Sequence, residues 1–405
     1  MTLNLTYVGT LPPHPGGSAI SAALILVGLA SRGHTVRCVA PLTGSDDDGF
    51  AIRHPELQIT RFPVSWYETD PSTPPPVGYH ERQQAAVCRL LAGLFDEARP
   101  DVCFVGRETF VPGVVDLAHA QGVPVVLRVA GSLTAGLAAG AYPDGTAAAL
   151  LADLKKVEVC VSPGRHLAEV ARALHYGDVR VIANAADCQA FGFATRDPAL
   201  MTRLGIPPGA VVVAHVSNLK PVKRPLDVVR SAATACSRDS RLFYLIIGDG
   251  PLRLPMEAAV RAAGLADRVR FVGWRPYQEM PTYLAAADLV VMPSASEGLA
   301  RVYVETLASG RVLVASDIPA AREVVVDGVT GLLFPCGDVT ALTETTLEIA
   351  NDPQRRQTIG RHARQFARGY DLAPAIDAYE RVLALVSREA IGRPTPLASP
   401  RRHAN

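Results

Sequence analysis

The chain has 405 residues, 40 basic against 39 acidic side chains and 48% hydrophobic content. That length exceeds one ordinary hydrophobic core and suits two of roughly 150–200 residues. The balanced charge, with no block of like sign, excludes a broad nucleic-acid surface, and no run of about 18 apolar residues is present to span a membrane.

In chain order, strand-like apolar runs at 3–8, 36–40, 102–105, 123–129, 157–161 and 179–182 alternate with amphipathic segments at 19–31, 82–98, 147–155 and 165–174. Continuous β-branched runs fit strands buried on both faces, and the alternation fits a parallel sheet with helices on either side. A Pro/Gly/Asp-rich stretch at 184–208 interrupts the pattern. A second series then begins, with strands at 211–216, 242–247, 269–272, 289–292, 312–315 and 331–334. Helices near 225–236, 252–263, 278–286, 302–308 and 338–350 separate them, and terminal helices follow over 353–389. The expected division is a first domain over 1–187 and a second over 188–375. A terminal helix over 376–391 should pack back toward the first domain, ahead of a disordered tail over 392–405. Residues 65–78 read as a Pro-rich loop at the mouth of the first domain. Seven scattered cysteines without a CxxC pair, and no secretory leader pattern, predict a reduced, cytoplasmic protein.

Ligands of doubly wound sheets bind in the loops after the strands. Three such loops are unusual here. The first ends in Gly16-Gly17-Ser18, directly before a helix. Glycines let backbone N–H groups approach an oxygen, and a helix N-terminus favours an anion. A tight turn without a ligand fits equally well. The loop is not GxGxxG and no acidic residue stands at the ribose position, so a dinucleotide is disfavoured. The second runs from Ser217 and Asn218 through Lys220 and Lys223 to Arg224. Lysine occurs only at 155, 156, 220 and 223, arginine supplying the other 36 basic residues. Two lysines therefore share one loop, where an ammonium suits a phosphate, although an exposed basic loop would look the same. The third runs from Ser294 to Glu305 and contains Glu297, Leu299, Ala300, Arg301 and Val302. A helix starting near Ala300 would hold Glu297 in the loop and Glu305 two turns in, with both facing one cleft. The bland alternative is a surface helix with a dipole-favoured acid. Asp46, Asp47 and Asp48 contain an Asp-x-Asp but read as a solvated loop. No HExxH, GxSxG or P-loop occurs, so neither a metal nor a cofactor is expected.

This order of features resembles the retaining GT-B glycosyltransferases of family 4 over about residues 3–385. The resemblance rests on the glycine loop, the basic loop and Glu297-x7-Glu305, with Asn184 to Asp187, Gly248-Asp249-Gly250, Gly273-Trp274 and Ser309-Gly310 as further pieces. It implies an α/β GT-B fold, two tandem Rossmann-like doubly wound domains facing a cleft, and sugar transfer from a nucleotide diphosphate donor to a small acceptor. Catalysis would rest on Lys223 and Glu297. Donor binding would use Gly16, Gly17, Asn218, Lys223, Trp274, Arg275, Glu297, Leu299, Ala300, Arg301, Val302 and Glu305, with Glu305 on the ribose and Glu297 on the sugar. Lys220 or Arg224 would supply a second cation. Gly17, Ser18, Arg107, Arg128 and Ala130 would form the acceptor side. Homo-oligomerisation is left open. The run from His215 to Arg224 is similar to that of the N-acetylglucosaminyl-malate synthases. Ala130 stands where many members carry histidine, and Val312 replaces a usual proline. An acceptor that is already nucleophilic, such as a thiolate, needs no protein base. The lincosamide S-glycosyltransferases offer a parallel. A nucleotide-sugar 2-epimerase and a non-catalytic nucleotide-sugar sensor are the rival readings.

Overall fold

The computed structural model describes residues 2–14, 16–43, 48–64 and 79–391. Asp46 and Asp47, the Pro-rich loop over 65–78 and the tail over 392–405 lie outside the described residues. Strands β1 (Asn4–Val8), β2 (Thr35–Thr43), β3 (Ile59–Val64), β4 (Val102–Val105), β5 (Val125–Arg128), β6 (Val159–Ser162) and β7 (Asp178–Val181) build the first sheet. Its order is β3-β2-β1-β4-β5-β6-β7, and neighbouring strands are parallel. Strands β8 (Val211–Val216), β9 (Leu242–Ile247), β10 (Val269–Gly273), β11 (Leu289–Met292), β12 (Val312–Ser316) and β13 (Leu332–Phe334) build the second. Its order is β10-β9-β8-β11-β12-β13, again parallel. These are two Rossmann-like domains in tandem.

Both faces of each sheet are buried, which is why the strands are apolar throughout rather than alternating. In β4, Cys103 and Val105 join one core cluster while Val102 and Phe104 join another on the opposite face. In β9, Phe243, Leu245 and Ile247 face one layer and Leu242, Tyr244 and Ile246 the other. The final helix, Leu372–Ile391, places Ile376, Tyr379, Leu383 and Val386 in the core beneath β1 and β4, beside Leu26 and Leu29 of the helix Gly17–Ser31.

Strand β3 was not expected from the sequence. It is an edge strand paired to β2 alone, and Arg61 and Pro63 break its apolar run. Proline is tolerated there because one side of the strand needs no ladder donor. The helices Val111–Ala120 and Ser132–Ala138 were also unexpected. The first contains non-helical Pro112 and Gly113, which break the sequence signal.

Candidate functional site

Both sheets reverse strand order once, at β1 beside β4 and at β8 beside β11. Loops leaving such adjacent strands diverge and open a crevice at the carboxyl ends. The residues singled out in the sequence sit mainly in the loops after β1, β4, β8 and β11.

The loop after β8 is fixed from inside. His215 is fully buried, with Nδ1 2.9 Å from the Val291 carbonyl oxygen and Nε2 2.8 Å from Ser217 Oγ. Burial pushes its pKa down to about 4; the Val291 bond opposes this and the Lys223 charge adds to it. The neutral ring therefore donates from Nδ1 to Val291 and accepts the Ser217 hydroxyl at Nε2. Ser217 Oγ in turn accepts the Leu219 N–H at 3.1 Å. This chain ties β8 to β11 and aims the short turn Pro221–Lys223. The Ala295 N–H donates to the Val222 carbonyl at 2.8 Å, which joins the loops after β8 and β11.

Lys223 Nζ lies 2.6 Å from both carboxylate oxygens of Glu297. The sequence assigned these residues to diphosphate and sugar separately; the structure brings them together as one largely buried ion pair. Arg224, one expected second cation, is turned away and donates to Asp227 at 2.6 Å in the first turn of the next helix. The helix after β11 spans Arg301–Ala308, so Glu305 stands one turn in rather than two. Arg301, expected among the donor-binding residues, is buried and donates from a terminal nitrogen and from Nε to Glu305 Oε1 at 2.6 and 3.1 Å. Its guanidinium also lies 4.6 Å from the centre of the Tyr277 ring. Leu299 and Val302 are buried beneath this segment, and Ala300 caps its helix. Asn218 has a buried Oδ1 without a hydrogen-bond partner. Trp274 is exposed, while Arg275 donates to the Val272 carbonyl at 2.5 Å and lies over Tyr283.

The first domain meets this surface closely. Gly16 caps the helix Gly17–Ser31 with φ 116°, and a Cβ on Gly17 would stand 3.7 Å from Arg301 Cδ. Ser18, next in that first turn, has a buried hydroxyl without a partner. Arg61 braces the glycine loop by donating to the Pro12 carbonyl at 2.6 Å while held by Asp48. Asp48 is thus occupied structurally. Arg107 precedes the short turn Glu108–Phe110 after β4. Buried Glu108 accepts from the backbone N–H groups of Ala130 and Gly131 at 3.0 and 3.1 Å and from Thr134 Oγ1 at 2.8 Å. The backbone N–H groups just ahead of the helix Ser132–Ala138 are therefore taken by a carboxylate of the protein itself. Arg128 is buried and donates to Asn184 Oδ1 at 2.8 Å, leaving Nε and one terminal nitrogen without a partner.

Two contacts across the domains were not anticipated. Asn184 Nδ2 donates to the Leu299 carbonyl at 2.6 Å while its oxygen faces Arg128. Glu323 of the second domain accepts the Arg165 and His166 N–H groups at 2.7 and 2.8 Å, capping a first-domain helix. Asn184 lay in a motif visible in the sequence. Nothing local marked Glu323, because its partners are backbone groups 157 and 158 residues away. Among the described residues no group of three or more His, Cys, Asp or Glu is arranged to hold a metal ion, and no helix is long and apolar enough to cross a membrane.

Chemically, the crevice offers an ammonium, two carboxylates, a buried guanidinium and a helix start, carried by the segments that follow β8 and β11. Such a set can hold hydroxyls and a diphosphate together. The two Rossmann-like domains form a GT-B fold, and each half of the chain is similar to a glycosyltransferase family. Residues 197–366 match the family described as glycosyl transferases group 1, and residues 15–190 match glycosyltransferase family 4. The chain is similar to the 2-deoxystreptamine N-acetyl-D-glucosaminyltransferase of Streptomyces fradiae, 36% identical over 38% of each chain. It is also similar to the D-inositol 3-phosphate glycosyltransferase of Kribbella flavida, 34% identical over 44% of each. The matched region spans less than half the length of these relatives. Among solved structures, sucrose-phosphate synthase from Thermosynechococcus elongatus superposes with a TM-score of 0.80 at 18% identity, covering 95% of this chain and 100% of that one. Anabaena HepE in complex with UDP and glucose gives 0.76 at 18%, with the same coverage.

Proposed function

We propose that this protein is a retaining hexosyltransferase that moves a sugar from a UDP- or GDP-sugar to a small soluble acceptor in cytoplasmic small-molecule biosynthesis. The observation that carries the reading is the Lys223–Glu297 pair in the loops after β8 and β11, the second of which leads to Arg301 beside Gly17 of the other domain. The named activities of the partial relatives, on 2-deoxystreptamine and inositol phosphate, support a small acceptor. They favour a cyclitol hydroxyl over the thiol suggested by Ala130.

Donor binding would exchange partners within the pair. Sugar hydroxyls take Glu297, and the diphosphate draws the Lys223 ammonium. Glu305 would reach the ribose while the Arg301 guanidinium holds its Oε1 in place. As the sugar–phosphate bond breaks, negative charge grows on the leaving diphosphate, where Lys223 and the N–H groups at the helix starts stabilise it. The leaving phosphate would take the acceptor proton on the same face, giving retention without a protein base. Thermal-shift screening of UDP-, GDP- and ADP-sugars, followed by transfer to cyclitol and thiol acceptors with and without EDTA, tests the reading. The proposal expects nucleoside diphosphate release that depends on acceptor, survives EDTA and yields a product of unchanged anomeric configuration. Donor interconversion without acceptor would establish the epimerase, and binding without turnover the sensor.

A further inference from the structure

Away from the crevice, the second domain carries a groove of about 780 Å³ lined by Arg311, Arg356, Arg361, Arg364 and Arg368. Arg356, Arg361 and Arg364 stand on the helix Pro353–Ala367, and Arg368 follows it directly in the turn Arg368–Tyr370. Arg361, Arg364 and Arg368 recur at three- and four-residue spacing, while Ile359, Ala363 and Ala367 enter the core. Gly360 also lines the groove. A Cβ there would come 2.2 Å from the Gly310 carbonyl oxygen, so only glycine lets the helix rest against the turn Ser309-Gly310-Arg311. This close approach brings the guanidinium of Arg364 within 3.2 Å of the Ser309 carbonyl and sets Arg311 in the groove beside it.

Compensation is sparse. Among the described residues lining the groove, Asp288 is the one carboxylate. It is already shared by the Val212 N–H at 2.8 Å and by Arg196 at 2.9 Å. Arg356 and Arg364 are engaged with helix-end carbonyls. Arg311 has a buried Nε without a hydrogen-bond partner. Burial, Arg196 and Arg364 press its guanidinium down, with Asp288 opposing. Arg361 and Arg368 are exposed at the rim. A group of guanidinium forks in a concave site matches a molecule with several phosphate oxygens.

We propose that this groove binds a soluble polyphosphate-bearing small molecule at a site separate from the donor crevice. Its concave shape and the absence of any large exposed apolar residue among its lining favour a soluble ligand over a bilayer. The full-length protein is titrated calorimetrically with pyrophosphate and with tripolyphosphate at fixed ionic strength. The Lys223→Ala background is included because it weakens the crevice, so that an undiminished signal there comes from the groove. Binding should persist in Lys223→Ala and weaken about 10-fold or more in Arg361→Ala/Arg368→Ala, which removes two exposed side chains. The double variant should retain the unfolding temperature of the parent. Binding of sulfate with equal affinity, binding that ignores the double substitution, loss of binding in Lys223→Ala, or association seen only with phosphatidylglycerol vesicles would each overturn the proposal. A failed groove leaves the crevice reading intact, since the two are titrated in different variants.

Discussion

Lys223 and Glu297 hold each other at 2.6 Å, so a diphosphate and Glu297 compete for one ammonium. Glu297→Gln removes the competitor's charge. Affinity for free UDP or GDP should stay level or rise, while donor turnover falls at least about 10-fold, because a charged acceptor to sugar hydroxyls contributes ~1.5–3 kcal/mol per bond. Calorimetry paired with initial rates checks this; equal loss of nucleotide binding and turnover would place Glu297 on the nucleotide instead. His215 offers a second test at this scale. Its folded pKa, about 4, lies below its ordinary value of 6.5. The unfolded chain therefore binds the extra proton first as pH falls, and stability drops between about pH 6.5 and 4, by roughly 3 kcal/mol in total. His215→Asn can keep a donor to Val291 without titrating. Its unfolding free energy should be flatter than the parent's between pH 6.5 and 5, as measured by denaturant titration. Parallel slopes would mean that other groups dominate.

At the scale of elements, fully buried strands were easy to read. The bounds of β8, β9 and β11 agree with the apolar runs at 211–216, 242–247 and 289–292, because strands covered on both faces carry no polar alternation to blur their ends. β3 escaped because Arg61 and Pro63 sit comfortably at an edge. The site was legible as three unusual loops after strands. The Lys223–Glu297 contact was not, since it joins residues 74 apart through a sheet order that sequence does not print. The same holds for the domain junction. A Cβ on Gly164 would lie 2.7 Å from the Gly298 carbonyl oxygen and 3.0 Å from Glu323 Oε1. Gly164→Ala should therefore push the helix Arg165–Ala173 off the loop that carries Glu297. Donor KM should rise about 10-fold or more with the unfolding temperature little changed. An unchanged KM would show that this contact does not hold the crevice in shape.

The whole molecule is two doubly wound domains drawn together at their strand ends by Asn184, Glu323 and the returning helix Leu372–Ile391. That arrangement sets Arg301 of one domain against Gly17 of the other, in the same loop-and-helix segment as Glu297, the partner of Lys223. The central claim is that this junction is a nucleotide-diphosphate site built on Lys223. Calorimetric titration of UDP and GDP into the parent protein and Lys223→Ala tests it most directly. One of the two nucleotides should bind the parent and bind the variant at least about 10-fold more weakly, with turnover reduced in proportion to a barrier rise of roughly 2.7–4 kcal/mol. Binding of neither nucleotide, or equal binding to parent and variant with near-normal turnover, would contradict it.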